Sequence, residues 1–445
     1  MNLREKIFAV LDRLLLQNDK VLSVAVAISG GSDSTALSLL ALEWGEIHSI
    51  QIFLTTVDHG LRVESKIEAE NLQQKFQARG VALDILRAEN NQRLDNNLQA
   101  HARSLRYSLL LDWCKKNKCS NLLLAHTQDD QAETVVMRIL RGSGVDGLSA
   151  MREVRLWENV SLIRPLLSVS RAELREWLQE QGESWFDDPS NQNNSFKRVE
   201  IRNWLQSYPD NDLMRKKLAQ SAFYFQKLQD FFSQNTEQLL QKYVQWNDGG
   251  FCWIASEFFL MEAEILQHDF LVKIIHKLIP NFAELRAQKI ADLIAEMKKI
   301  LQENSNSAYS MAGLLWYLGK FQGRVGIWCS REIARIENER EISPEISLVW
   351  DQRFKCKLSV FDENKCDDKW RITGLNYEIL NQILSDDKTV QEVIKKIPKR
   401  ALLGLPVLKR LEIVESVPHI GYTNSSFSGL FVANWCGNNS HSDEI

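Results

Sequence analysis

Residues 24–40 read VAVAISGGSDSTALSLL, and their order decides the fold at this end of the chain. An apolar, β-branched run enters two adjacent glycines, Gly30 and Gly31. Ser32, Asp33, Ser34 and Thr35 follow, and then apolar residues return with helical spacing. The pattern is a buried strand, a tight turn and a helix. Glycine permits positive φ, so consecutive backbone N–H groups can point into one concavity. The hydroxyls add donors, and the helix start adds the positive end of its dipole. Together Ser29, Gly30, Gly31, Ser32, Asp33 and Ser34 form a cradle suited to a polyphosphate. It is not the common P-loop, which needs four residues between its glycines and a following lysine, nor is it GxGxxG. A plain tight turn that caps a helix is the simpler alternative.

Outward from this junction the pattern alternates. Runs at 21–29, 49–57, 81–86 and 121–126 have strand character, and stretches near 34–43, 64–79, 97–117 and 129–140 have helical spacing. Alternation predicts an α/β fold with a parallel, doubly wound sheet, whose ligands bind beyond the carboxyl ends of the strands. The apolar segment SLIRPLL at 161–167 adds a strand. A helix from Ser170 to about Glu180 follows, with Ser170 and Glu173 as a capping box, and then the polar loop FDDPSNQNNSFKR. Beyond Pro209 helices are expected at about 211–245, 256–279 and 283–303, then a strand-like FQGRVGIWC. Residues 331–341 read equally well as a short helix or a linker. The last hundred residues mix short strands with turns. The expected organisation is a catalytic domain over 1–210, a mainly helical domain over 211–330 and a small α+β domain over 331–445.

At 445 residues the chain exceeds what one core usually serves, and 44% apolar with 25% charged residues is an ordinary globular composition. The N-terminal leucines are interrupted by Arg4, Glu5, Asp12 and Arg13, and no 18-residue apolar run follows. A cytoplasmic protein without a membrane partner is expected. Seven scattered cysteines, never spaced Cys-x-x-Cys, argue against a disulfide framework, a zinc ribbon or a cysteine-held cluster. A formal charge of −4 means that any nucleic-acid partner needs a local basic surface. The segment VIKKIPKRALLGLPVLKR supplies Lys395, Lys396, Lys399, Arg400, Lys409 and Arg410, read equally as a phosphate-contacting patch or a solvated face. Among the thirteen tryptophans, Trp177, Trp204 and Trp316 read as helical core residues, and Trp185 stands apart beside the polar loop.

Three further segments carry candidate chemistry. His59 and Gly60 in TTVDHGLR belong at the sheet edge that holds the cradle, although a lone histidine at a strand end is more often structural. Arg103 and Arg106 are three apart on one helix, either as a solvated basic face or as a pair of guanidiniums for phosphates. Asp130 and Glu133, in AHTQDDQAETVVMRILRGSGVDGLSAM, share one face at a helix start. Two close carboxylates suit an ammonium group or a metal ion and can accept a proton from an amine, whereas helix-dipole matching explains either alone.

SGGSDS resembles the PP-loop of the adenylating ATP pyrophosphatases. With DHGLR, the Ala-Arg-x-x-Arg-Tyr segment at 102–107, the AH..DDQ.ET to RGSG..GLSAM block, RPLL at 164–167 with Arg171, and WFDDPSN at 185–191, the first 205 residues resemble the tRNA(Ile)-lysidine synthases. The resemblance implies an adenine nucleotide α-hydrolase-like fold with an added helical domain and a C-terminal domain. It implies that ATP adenylylates the C2 carbonyl oxygen of the wobble cytidine in an isoleucine tRNA with a CAU anticodon, releasing pyrophosphate. The ε-amine of free L-lysine then attacks C2, AMP departs, and the tRNA decodes AUA. Residues 29–34 with His59 would bind ATP, Asp33 would hold Mg2+ or serve as an orienting carboxylate, and Asp130 and Glu133 would receive and help deprotonate lysine. His126 and Arg103 or Arg106 would stabilise phosphate or polarise the base, with Arg198 or Arg202 covering the site. Monomer and homodimer both stay open. Gln99, Val199 and Asn203 depart from residues common in the family, which touches details of arginine orientation and loop contact. A tRNA thiolase is the nearest rival, disfavoured by the cysteine pattern. Amidotransferase-like relatives lack their partner segments here, and the intact SGGSDS, Asp130 and Glu133 speak against an inactive tRNA-binding protein.

Overall fold

In the computed structural model the described residues are 2–16, 21–58, 63–87, 98–186, 197–280, 287–362 and 369–438. By contact they form two compact units, Met1–Asp230 and Phe231–Ile445. The first unit opens with α1 (Leu3–Leu15), β1 (Ser23–Ala27), α2 (Ser32–His48), β2 (Gln51–Asp58), α3 (Val63–Gln77) and β3 (Leu83–Arg87). It continues through α4 (Leu98–Lys116), β4 (Asn121–Leu123), α5 (Gln128–Ile139), α6 (Val145–Leu148), β5 (Val154–Trp157) and β6 (Val160–Ile163). The helices α7 (Arg171–Glu180), α8 (Lys197–Ser207) and α9 (Asn211–Tyr243) follow, and α9 runs on into the second unit.

The sheet order is β3-β2-β1-β4-β6-β5. All pairings are parallel except that β5 runs antiparallel to β6 at the edge. From β1 the chain winds outward through β2 and β3, then returns to place β4 on the other side of β1. That reversal opens a crevice between the carboxyl ends of β1 and β4, where open α/β sheets bind ligands. Alternation along β1 explains its central place: Val24 and Val26 enter the core on one face, Ala25 and Ala27 the core on the other. α2 and α7 cover the first face, with Trp44 fully buried and its Nε1 donating to Asp12 Oδ1 at 2.8 Å. The predicted capping box at Ser170 and Glu173 is present.

The second unit places β7 (Val244–Asn247), β8 (Phe251–Ala255), α10 (Ser256–Met261), α11 (Glu264–Leu278), α12 (Ala287–Glu303), β9 (Ala308–Met311), β10 (Leu314–Phe321) and β11 (Arg324–Arg331) first. These strands make an antiparallel sheet ordered β7-β8-β11-β10-β9. The stretch expected to be mainly helical therefore carries a five-stranded sheet among its helices, and the single helix expected at 256–279 is broken at Glu262 and Ala263. Residues 331–341 form a 3-10 turn at Ile333–Arg335 and a short strand, β12 (Arg340–Glu341).

Then come β13 (Ser347–Trp350), β14 (Phe354–Val360), β15 (Trp370–Gly374), α13 (Tyr377–Asp386), α14 (Lys388–Ile394), α15 (Lys399–Leu402), β16 (Pro406–Arg410), β17 (Ile413–Val417), β18 (Tyr422–Thr423) and β19 (Gly429–Trp435). They build sheets ordered β12-β15-β16-β17-β18 and β13-β14-β19. One buried cluster extends from Leu240 to Trp435, across the boundary expected at 330/331. Trp316 is core, but on strand β10 and not on a helix. Trp204 is not core: 51% of it is exposed on α8, whose residues Ile201 and Leu205 are the ones packed inward. Among the described residues no helix is long and apolar enough to cross a membrane, and the six described cysteines are unbridged.

Candidate active site at the ends of the first and fourth strands

Between β1 and α2 the chain turns on Gly30, whose φ of +82° lies in the left-handed region. A Cβ there would also sit 2.9 Å from Phe186 Cδ2, so both backbone and space call for glycine. The turn is fastened from within. The Ser29 N–H donates to Ser34 Oγ at 3.1 Å, Ser34 Oγ donates to the Gly31 carbonyl at 3.1 Å, and the Phe186 N–H donates to the Gly30 carbonyl at 2.9 Å. Gly31 is the N-cap of α2 and brings no capping side chain. The first-turn N–H groups are thus left for an anion, in line with the helix dipole.

At the end of β4, Thr127 caps α5 and Asp130 closes the capping box, accepting from the Thr127 N–H at 2.9 Å. Asp130 is therefore a helix-capping residue, as its place in the first turn of α5 favours. One turn on, Glu133 is 1% exposed. The cradle and this helix start are bridged by Arg171, at the first position of α7. Its Nε donates to Asp33 Oδ2 at 2.9 Å, its Nη2 lies 3.5 Å from Asp130 Oδ1, and its backbone N–H donates to Asp129 Oδ2 at 2.8 Å. Ser32 Oγ donates to the other Asp33 oxygen at 2.9 Å, and Arg175 Nε reaches Ser32 Oγ at 3.4 Å.

Helix α8 closes the cluster. Arg198 donates through Nη2 to Asp130 Oδ1 at 2.9 Å and through Nε to Glu133 Oε2 at 2.6 Å. Arg202, one turn later on the same face, donates through Nε to Glu133 Oε1 at 2.7 Å. Ile201 and Leu205 seat α8 against Ala132 of α5. Three carboxylates thus face three guanidiniums, which keeps a largely buried group of charges near neutrality.

The two aspartates are not equivalent. Burial pushes the Asp33 carboxyl above its ordinary range, and the charge and hydrogen bond of Arg171 offset this only in part. Burial acts on Asp130 in the same sense. There Arg198, then Arg171, and more weakly His126 outweigh it and hold the carboxyl below its ordinary range. Burial also works against the charges of Arg171 and Arg198, yet the surrounding carboxylates hold both more firmly protonated than usual. Neighbouring acids with environments that drive them apart are suited to different tasks.

The structure thus gathers Asp33, Asp130, Glu133 and His126 with the cradle residues 29–34. Arg106 sits half-buried on α4, whose Tyr107 stacks on Trp157 with ring centroids 5.0 Å apart. The guanidinium hydrogen bonds given above to the carboxylates come from Arg171, Arg198 and Arg202. His59 and positions 187–191 of the polar loop lie outside the described residues, as do the side chains of Gln99 and Arg103. Val199 and Asn203 lie on α8, Val199 buried beside the arginines. Sequence reasoning did not anticipate the bridge made by Arg171 or the anchor made by Asp129, whose Oδ1 lies 3.4 Å from Arg215 Nε. The available signals were Arg171 at a capped helix start and the Asp-Asp doublet at 129–130.

Residues 4–208 match the PP-loop domain family. The chain is 31% identical to the tRNA(Ile)-lysidine synthase of Wolbachia pipientis wMel over 75% of this chain and 77% of that protein. It is 28% identical to the tRNA(Ile)-lysidine synthase of Rickettsia typhi over 96% of this chain and 97% of that one. Among solved structures, a U34-tRNA thiolase from Methanococcus maripaludis aligns with a TM-score of 0.43 and 20% identity, over 51% of this chain and 77% of its own.

Proposed function

The chain belongs to the tRNA(Ile)-lysidine synthase family, and from that premise we propose how its site works: as an ATP-dependent ligase that joins L-lysine to C2 of the wobble cytidine of a CAU-anticodon isoleucine tRNA. The observation that carries this reading is the Arg171 bridge, which sets the anion cradle and the Asp130–Glu133 pair side by side. One subsite suits a triphosphate and the other an ammonium, as adenylylation followed by amine attack requires.

In the first step the C2 carbonyl oxygen attacks the α-phosphorus of ATP, an O–P bond forms, and pyrophosphate departs. The α2 N-terminus and the hydroxyls of Ser29, Ser32 and Ser34 receive the charge that accumulates on the leaving group. In the second step the lysine ε-amine attacks C2 and AMP leaves with the carbonyl oxygen. A protonated amine has no lone pair, so Asp130 and Glu133 bind the ammonium and draw off its proton, and one or both arginines of α8 yield hydrogen bonds to it. His126 and Arg106 complete the charge balance around the base and phosphates, with the Arg103 side chain and His59 assigned to the same tasks.

A magnesium ion fits the donor set. Mg2+ favours one or two carboxylates together with substrate phosphates, and Asp33 beside the cradle is a carboxylate whose charge burial leaves undercompensated. Bound there, the ion would counter the charge of the triphosphate. Asp33 is the residue that would hold it.

The same reading assigns residues 1–210 to catalysis and residues 211–330 and 331–445 to tRNA contact, a cytoplasmic location, and no membrane partner. The basic patch at 395–410 contributes through Lys396, Lys399 and Lys409 before Arg410. Arg410 is committed to fully buried Glu415 at 2.7 Å, and Lys395 pairs with Glu392.

The test is direct. With ATP, labelled lysine and unmodified isoleucine tRNA carrying CAU, label enters the tRNA with one AMP and one pyrophosphate per lysine, and methionine tRNA stays unlabelled. Release of ADP, or label in both tRNAs, would refute the reading.

A further inference from the structure

Helix α9 has two unlike faces. One is fastened to the first unit beside the site: Arg215 pairs with Asp129, Gln226 Nε2 donates to the carbonyls of Ser149 and Met151 at 2.8 and 2.9 Å, and Gln229 bonds to Asp146. These partners lie at the start of α5 and in the glycine-containing loop around α6. At 3.6 residues per turn the opposite face carries Lys216, Lys217, Phe223, Tyr224, Lys227 and Leu228. All six are exposed; Phe223 is 52% exposed and Tyr224 65%. Lys227 Nζ lies 4.7 Å from the Phe223 ring centroid. Asp230, at the rim of this face, is paired with Arg152 at 2.7 Å.

Exposed rings are costly to leave in water unless something stacks on them, and the lysines among them attract an anionic partner. We propose that this face of α9 receives the unpaired bases and backbone of the anticodon loop of the substrate RNA, with Phe223 and Tyr224 as stacking platforms and Lys216, Lys217 and Lys227 against phosphates. The proposal rests on the lysidine synthase reading and deepens it by naming where the RNA sits. Bases have π faces that aromatic rings accept whatever the sequence, and phosphates match the lysines. A second copy of this chain fits less well, because an isologous contact would set each lysine patch against its own copy. The hydrogen bonds of the inner face give the helix a fixed place beside Asp129, so RNA held on the outer face meets the site at a set distance.

The test uses the full-length protein with unmodified isoleucine tRNA, ATP and lysine, in wild type and two variants: F223A/Y224A and K216E/K217E/K227E. These side chains are exposed, and thermal unfolding checks that both variants stay folded. The lysine triple should raise the KM for tRNA about a hundredfold near 0.1 M salt and flatten the dependence of log KM on log salt by about two to three. F223A/Y224A should raise it about tenfold with the salt dependence unchanged. The KM for lysine, and kcat at saturating tRNA, should stay within about twofold in both. An unchanged tRNA KM in both variants, with the wild type active, would overturn the proposal. A fall in sedimentation mass with tRNA KM unchanged would overturn it in favour of a contact between copies. If the wild type makes no lysidine yet both variants lose tRNA affinity, the surface stands and the assigned reaction fails.

Discussion

Two arginine–aspartate groupings in this molecule look alike on paper and differ in kind. In the second unit Asp351 and Arg353 are both 3% exposed, two residues apart on one turn, with Nε to Oδ2 at 2.6 Å. Arg353 also donates to the Gly404 carbonyl at 3.1 Å. In the first unit the site arginines come from separate helices and keep an edge in solvent, with side chains 22% exposed at Arg171 and 36% at Arg198. Their electrostatics run in opposite directions. Burial brings Arg353 down to about 10 despite its aspartate, whereas the carboxylates around Arg171 and Arg198 more than repay burial. The inner pair is a fixed strut. The outer cluster keeps its guanidiniums partly in solvent, and a buried group that must change partners needs such access.

Substitutions sharpen that contrast. Asp33→Ala should lower pyrophosphate release about a thousandfold, the scale of losing a principal electrostatic element in a site. Its stability should behave differently. A carboxyl with a raised folded-state pKa contributes stability that is full below its unfolded value and lost as pH rises through the folded one. At neutral pH the Asp33 carboxylate is thus a burden, and Asp33→Asn should unfold in urea no earlier than wild type. Asp351→Ala should do the reverse. It leaves Arg353 buried without its partner, at a cost of about 3–5 kcal/mol in chemical unfolding of the second unit.

Next in size is a pH effect. His419 is held down to about 4, first by burial and also by Arg353, with Asp248 acting against both. A histidine with a depressed folded pKa contributes stability above its unfolded value of about 6.5, lost as pH falls towards 4. Unfolding of the second unit should therefore weaken by about 3 kcal/mol over that window, and His419→Asn should remove most of the slope. The smallest effect belongs to Arg198→Ala. Lysine transfer should fall about tenfold through lost positioning, and stability by less than about 1 kcal/mol because the side chain is partly solvated. If Arg198→Ala instead unfolds the protein as Asp351→Ala does, the two groupings are the same kind of pair.

What could be read in advance follows the same division. The cradle was legible because its cause is local: a strand buried on both faces must end, and Gly30 and Gly31 say how. The start of α5 and the Ser170 cap were legible for the same reason. The arginine contacts were not, because Arg198 and Arg202 meet Glu133 across 65 and 69 residues and no periodicity spans that separation. Trp204 was misread because an apolar helical context does not say which side of α8 faces α5. Of the sheet of β7 to β11 only the strand-like FQGRVGIWC, now β11, showed in advance, because β7, β8 and β9 are short and share their apolar composition with the helices between them. The edge strand β5 escaped notice because Val154 and Leu156 are exposed, so its pattern shows no inward face.

The division of labour between the two subsites is tested most directly by Glu133→Gln, which keeps the side chain's size while removing its charge. In rapid-quench reactions with CAU isoleucine tRNA, pyrophosphate release should stay within about tenfold of wild type, while incorporation of labelled lysine falls by about a hundredfold or more. Equal loss of both signals would show that the carboxylates beside α8 serve adenylylation too, and would contradict the account.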